Sequence, residues 1–144
     1  LEVFAVRRML ESQATGLAAT LGTSDAIAAL VREVSSVDAT STVEEIVEHD
    51  IRFHREIAAM SGNAYLASLI EHLSSQTVRA RVWRGLTEGG ATERTLAEHR
   101  GIADAIARHA PALATSLTTA HIAGVEQWLR QAASTRVSAV GGAD

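Results

Sequence analysis

Apolar residues recur along this chain at intervals of three and four, and strict alternation is scarce, which is the pattern of amphipathic helices. The first 20 or so residues predict a helix whose inward stripe is Val3, Val6 or Arg7, Leu10, Ala14 and Leu17. Gly22 stops it, and Thr23 or Ser24 suits the cap of a second helix reaching about Ser36. Ser41 with Glu44 and Thr42 with Glu45 both match a capping box, opening a third helix that ends at Gly62. Asn63 caps a fourth, which runs through Leu66, Leu69, Ile70 and Leu73 towards Trp83. The run Thr87-Glu88-Gly89-Gly90 is the clearest loop in the chain. Residues 92–109 predict a fifth helix, and Pro111 stands in the first turn of a sixth that continues to about Ala133. The expected fold is all-α: one antiparallel bundle of six or seven helices over residues 1–134, followed by a frayed tail, 135–144.

Composition narrows the function classes. A chain of 144 residues fits one domain with an adequate core. With no cysteine, disulfides and thiolate metal sites are both ruled out. The net charge of −4 and the lack of any basic block argue against this chain itself gripping nucleic acid or an anionic membrane. No apolar run reaches 18 residues, so no transmembrane helix is expected, and the start LEVFAVRRMLE is no signal peptide. A cytoplasmic location is the default expectation. The chain opens directly into helix without an initiator Met, which reads as a fragment whose N-terminal partner lies elsewhere.

Four ionisable residues fall where the periodicity calls for apolar ones. In the third helix the inward stripe is Ile46, Asp50, Phe53 or His54, Ile57 and Met60 or Ser61, with Asp50 and His54 one turn apart on the same side. Leu96, His99, Ala103 and Ile106 share a face of the fifth helix, as do Leu113, Leu117, His121 and Val125 in the sixth. A buried polar group without a partner costs roughly 1–3 kcal/mol, and an isolated carboxylate more. One explanation for all four is that they meet around a divalent metal. Three imidazoles and one carboxylate suit Zn²⁺, Ni²⁺, Mn²⁺ or Fe²⁺ better than Ca²⁺. The other explanation is four separately hydrogen-bonded core residues, and the residues alone leave both open. His49, His72 and His109 are expected to face water; His72 shares a polar stripe with Ser68, Gln76 and Arg79 that could instead line a cavity.

The segment Asp50-Ile-Arg-Phe53-His54-Arg-Glu-Ile57-Ala58-Ala-Met-Ser61-Gly62-Asn63 resembles the signature of the FCD domain, the C-terminal ligand-binding domain of FadR-type regulators in the GntR superfamily. Arg7-Arg-Met-Leu10-Glu11 near the start fits the same pattern, as does Glu98-His99-Arg-Gly-Ile102 with His121 following 22 residues after His99. Arg108-His109-Ala110-Pro111 departs from it, standing where the family often has a Gly-Asp turn. The resemblance covers about residues 1–130. It implies a central cavity with a divalent metal, most simply zinc, on Asp50, His54, His99 and His121, and a small carboxylic acid completing the coordination. It further implies a homodimer that meets operator DNA only through a winged helix-turn-helix domain outside this chain, and no enzymatic activity. Arg7 and Arg81 are the candidates for gripping the acid, since a guanidinium matches a carboxylate in a planar fork; an Arg7–Glu11 salt bridge is the plainer reading of the first. Two rival readings remain: a metal-dependent hydrolase or oxygenase, for which no extra Glu or His save His72 accompanies the four on their stripes as a base, and a purely structural metal.

Overall fold

The computed structural model describes the backbone of residues 1–141 and the side chains of residues 1–134. Six helices make up the described chain: α1 (Glu2–Leu21), α2 (Ser24–Ser35), α3 (Val43–Met60), α4 (Ala64–Thr87), α5 (Ala91–Ala107) and α6 (Pro111–Gly141). The all-helical bundle anticipated from the periodicity is therefore the fold. None of the helices is long and apolar enough to cross a membrane. The expected tail, 135–144, lies outside the described side chains, although the backbone of α6 continues to Gly141.

The chain turns where its punctuation residues dictate. The Thr23 side chain accepts a hydrogen bond from the Ala26 amide and starts α2. Thr42 and Glu45 form the reciprocal capping box at the head of α3, so the second of the two overlapping candidates is the one used. The side-chain oxygen of Asn63 accepts from the Leu66 amide and opens α4. Between α4 and α5, Gly90 adopts φ +74°, a left-handed conformation that a side chain disfavours. His109 holds φ 51°, and its Nδ1–H donates to the Ala19 carbonyl at 2.9 Å, tying the α5–α6 turn to the end of α1. Pro111 then begins α6, where its missing amide hydrogen is not needed.

α1 lies along α6 and also packs on α3, α4 and α5, while α2 covers α3 and α5. Gly16 permits the α1–α6 approach: a Cβ there would stand 2.6 Å from the Thr115 hydroxyl. The largest apolar cluster joins α1, α2, α3, α5 and the start of α6 through Ala18, Leu30, Phe53, Ile57, Ile106 and Ala114. Smaller clusters form around Phe4, Ile122 and Val125 and around Ala14, Ala58 and Ile70.

The inward face of α1 differs from the expected stripe. Phe4, Arg7, Glu11, Ala14, Thr15 and Ala18 are buried, whereas Val6 and Leu17 are exposed. The helix is rotated so that an ion pair enters the core and part of the apolar stripe faces out. In α6 the buried line is Ala114, Thr118, His121, Ile122 and Val125, and Leu113 is exposed. Leu69 of α4 is likewise partly exposed, leaving Ile70 as the deep anchor there.

Candidate metal centre

Asp50 and His54 project from α3 one helical turn apart, His99 from α5 and His121 from α6, and all four are buried. One donor atom from each lies within 4.8 Å of every other. The His99 and His121 Nε2 atoms are 3.3 Å apart, and Asp50 Oδ1 stands 3.8 Å from His54 Nε2 and 3.7 Å from His99 Nε2. Four residues scattered over 72 positions of sequence thus aim their donor atoms at one small volume.

Each imidazole is held from behind at Nδ1. His54 Nδ1 meets Glu11 Oε2 at 2.8 Å, and His121 Nδ1 meets Glu98 Oε2 at 2.7 Å. His99 Nδ1 meets not a carboxylate but His49 Nε2, at 2.9 Å. Phe53 stacks on the His99 ring with centroids 4.0 Å apart and planes 13° apart, which fixes that ring's tilt. A carboxylate can only accept, so the Nδ1 of His54 and of His121 carries a proton, and it is Nε2 that each ring turns to the centre. The expectation that no further Glu or His, save His72, accompanies the four is corrected here: Glu11, Glu98 and His49 all touch them, while the His72 ring bonds to Gln76.

His49 is the largest departure. Its charged neighbours on α3 suggested a solvated face, yet the ring is fully buried and bridges His99 to Glu33 of α2, 3.1 Å from its Nδ1. The signal was present in the sequence, because His49 stands one turn before Phe53 on the same helix side. His72 is exposed, as expected, and its ring bonds to its helix neighbour Gln76. His109 is also largely exposed apart from its bond to Ala19.

Burial governs the electrostatics. It drives the pKa of His99 well below the ordinary imidazole value, helped by repulsion from His121, His54 and His49. His121 is lowered by burial in spite of Glu98, and His49 by burial in spite of Glu33. These rings are thus neutral at pH 7, the form that ligates metals. Burial alone would raise the Glu11 carboxyl, but charge and hydrogen bonds from His54 and Arg7 outweigh it and hold Glu11 far below the usual carboxylate range.

The two arginines singled out from sequence have different surroundings. Arg7 is buried with every part of its guanidinium engaged: Nε and Nη2 on Glu11 at 2.6 and 3.2 Å, and Nη1 donating to the Thr77 hydroxyl at 2.9 Å. It backs Glu11, which backs His54. Arg81 is buried too, but it contacts Asp50 directly, and its Nη2 donates to the Ser74 carbonyl at 2.8 Å. Its Nε has no partner among the described residues. Burial, with repulsion from Arg7, pushes the Arg81 pKa down to about 9, so it remains a cation at pH 7. A small cavity adjoins the centre, bordered by Asp50, Arg81, Arg84, Thr92, Thr95 and His121.

Whether this donor set fits a metal ion can be judged from the orphaned groups. His54 Nε2 is buried with no hydrogen-bond partner, in a place where a void would leave a lone pair unsatisfied. Three imidazoles and a carboxylate whose donor atoms converge there are a fitting set for a borderline divalent ion.

Fold and site together define an all-helical domain whose core can hold a divalent metal ion. The sequence profile of the FCD domain matches residues 2–124, and the chain belongs to that family. Among solved structures it is similar to a GntR protein of Streptococcus agalactiae, at 24% identity and a TM-score of 0.69, over 88% of this chain and 57% of that one. It is also similar to McbR/YncC of E. coli, at 18% identity and a TM-score of 0.72, over 89% of this chain and 64% of that one. At these identities the likeness is one of fold, and the chain spans less than two thirds of either structure's length. No curated protein sequence matches it significantly.

Proposed function

We propose that this chain is the effector-sensing domain of a FadR-type regulator of the GntR superfamily, with Asp50, His54, His99 and His121 holding one divalent metal ion. Zinc is the simplest choice, with nickel, manganese and iron also suited to the donor set. The observation that carries the reading is the convergence of four buried donor atoms, with each imidazole anchored from behind so that its Nε2 faces the common centre. When bound, the ion supplies a Lewis-acidic anchor with positions left for an incoming oxygen ligand.

The ligand of this cavity is a small carboxylic acid. Arg81 is the residue that grips it: a buried cation on the cavity wall with an unpartnered Nε, now resting on Asp50. Arg7 serves instead as a fixed support, because its donors are spent on Glu11 and Thr77. Glu11 and Glu98 are each committed to a histidine, so neither is free as a general base, which favours a sensor over a hydrolase. The full regulator is a cytoplasmic homodimer that contacts operator DNA through a winged helix-turn-helix domain outside residues 1–144.

The test is a thermal-shift screen of hydroxy, keto and sugar acids against metal-loaded and chelator-treated protein, together with metal analysis. About one ion per chain is expected, with most of it lost in His99→Ala and His121→Ala. An acid at 100 times its dissociation constant adds roughly 2.7 kcal/mol, an upward shift of several degrees for a domain of this size. Metal-stripped protein and Arg81→Met respond far less. An acid library that shifts neither form, or both equally, would leave a structural ion in place of a sensor.

A further inference from the structure

The three imidazoles of the centre are not supported alike. His54 and His121 rest directly on carboxylates, from α1 and from α5. His99 rests on a second imidazole, and that imidazole rests on Glu33 of α2, which also accepts from Arg52 Nε at 3.0 Å. We infer that His49 is a positioning residue of the metal centre, relaying the Glu33 carboxylate to His99. The inference rests on reading the centre as a metal site.

The proton positions follow from the donor inventory. Glu33 can only accept, so His49 carries its proton on Nδ1 and donates it to Glu33. A neutral His49 then offers a bare Nε2, which can only accept. The 2.9 Å contact therefore requires the proton on His99 Nδ1, leaving His99 Nε2 free to face Asp50 and His121. Rotated or in the other tautomer, His99 would oppose a protonated nitrogen to the ion or break a fully buried hydrogen bond. His49 is wholly buried, so water cannot take its place as the acceptor. Phe53 presses on the face of the His99 ring and holds its tilt but offers no acceptor, so the choice of tautomer falls to His49.

The relay also reaches an element that the ligand set leaves out. α2 contributes none of the four donors, yet it packs on both α3 and α5, and Glu33 is its only side chain in the relay. Metal occupancy and the seating of α2 are thereby linked through two hydrogen bonds.

The experiment measures Zn²⁺ affinity by chelator competition for wild type, His49→Leu, His49→Gln, Glu33→Gln and His99→Ala, with helix content and melting of each metal-free form by circular dichroism. Outer partners of ligating histidines typically contribute 10- to 100-fold in affinity, so His49→Leu is expected to bind roughly 10- to 100-fold more weakly. His49→Gln, whose amide oxygen can accept from His99 Nδ1–H, recovers most of that loss, which a mere packing defect would not predict. Glu33→Gln, whose amide oxygen can still accept from His49, weakens binding in the same direction by less. Long-range ¹H–¹⁵N spectra of the zinc-loaded wild type supply a readout that needs no variant: His49 shows a protonated Nδ1 and a bare Nε2. Zinc affinity in His49→Leu and Glu33→Gln equal to wild type, or a protonated His49 Nε2, overturns the relay while His99→Ala still reports on the ion. A wild-type protein that takes up no divalent metal overturns the metal reading and the relay with it.

Discussion

At the scale of single residues, a buried imidazole serves a metal only if its bare nitrogen faces the ion, and here that choice is made from behind each ring. The same burial has a consequence in metal-free protein. An unfolded chain protonates its histidines near their ordinary value of about 6.5, whereas His99, His121 and His49 are held lower in the fold by desolvation. Between those two values the unfolded state binds more protons than the folded one. Their contribution to stability is thus complete above about 6.5 and is lost as pH falls from there towards the lowered folded values. Glu33 faces His49 and Glu98 faces His121, and each opposes the loss without cancelling it, since burial is the larger cause at both. Melting temperature measured in chelator should therefore drop between pH 7.5 and 5, and His99→Gln should make the slope shallower. A flat profile over that range would mean the rings are solvated. Residue by residue, the ligand candidates were legible because Asp50, His54, His99 and His121 each interrupt an apolar stripe. Their supports were harder to read: His49 had the signal of standing one turn before Phe53, but Glu11 and Glu98 had none, and only tertiary packing shows that they turn inward.

At the scale of helices, the ends were more legible than the faces. Caps are local: a hydroxyl or amide oxygen three residues before an amide decides where the chain turns, and Thr23, Thr42 and Asn63 do so as their positions predict. The box at α3 matters most, because it sets the start of the helix that delivers Asp50 and His54. Thr42→Ala should cost about 1 kcal/mol of unfolding free energy, and Thr42→Ser should restore most of it. Chemical denaturation of metal-free protein checks this; an unchanged midpoint for Thr42→Ala would mean the box contributes nothing. Faces depend on all the neighbours at once. α1 shows why periodicity alone misplaced one: Arg7 and Glu11 satisfy each other at i and i+4, so the pair can enter the core as a hydrogen-bonded unit, with Glu11 also serving His54. The helix turns to seat that pair, and the apolar residues it would otherwise have buried are carried outward.

At the scale of the whole molecule, that rotation leaves something to be covered. Val6, Met9 and Leu17 lie on one side of α1 at helical spacing, and each is more than a third exposed, Met9 most of all at 61%. Scattered apolar residues on a surface need no explanation, but a stripe along one helix marks a contact face. The regulator proposed above supplies a partner of the right kind, a second copy of the same chain. A two-fold axis would set the same stripe against itself, which suits a self-complementary apolar face. The prediction is a homodimer at micromolar concentration. Met9→Glu with Leu17→Glu should shift it to monomer by placing like charges across the axis, while metal content stays unchanged, since neither residue approaches the centre. Light scattering over a concentration series reads the mass, and metal analysis of the same samples shows that the fold survives. A wild type that remains monomeric throughout would remove the dimer, and a dimer indifferent to both charges would move the interface to another face of the bundle.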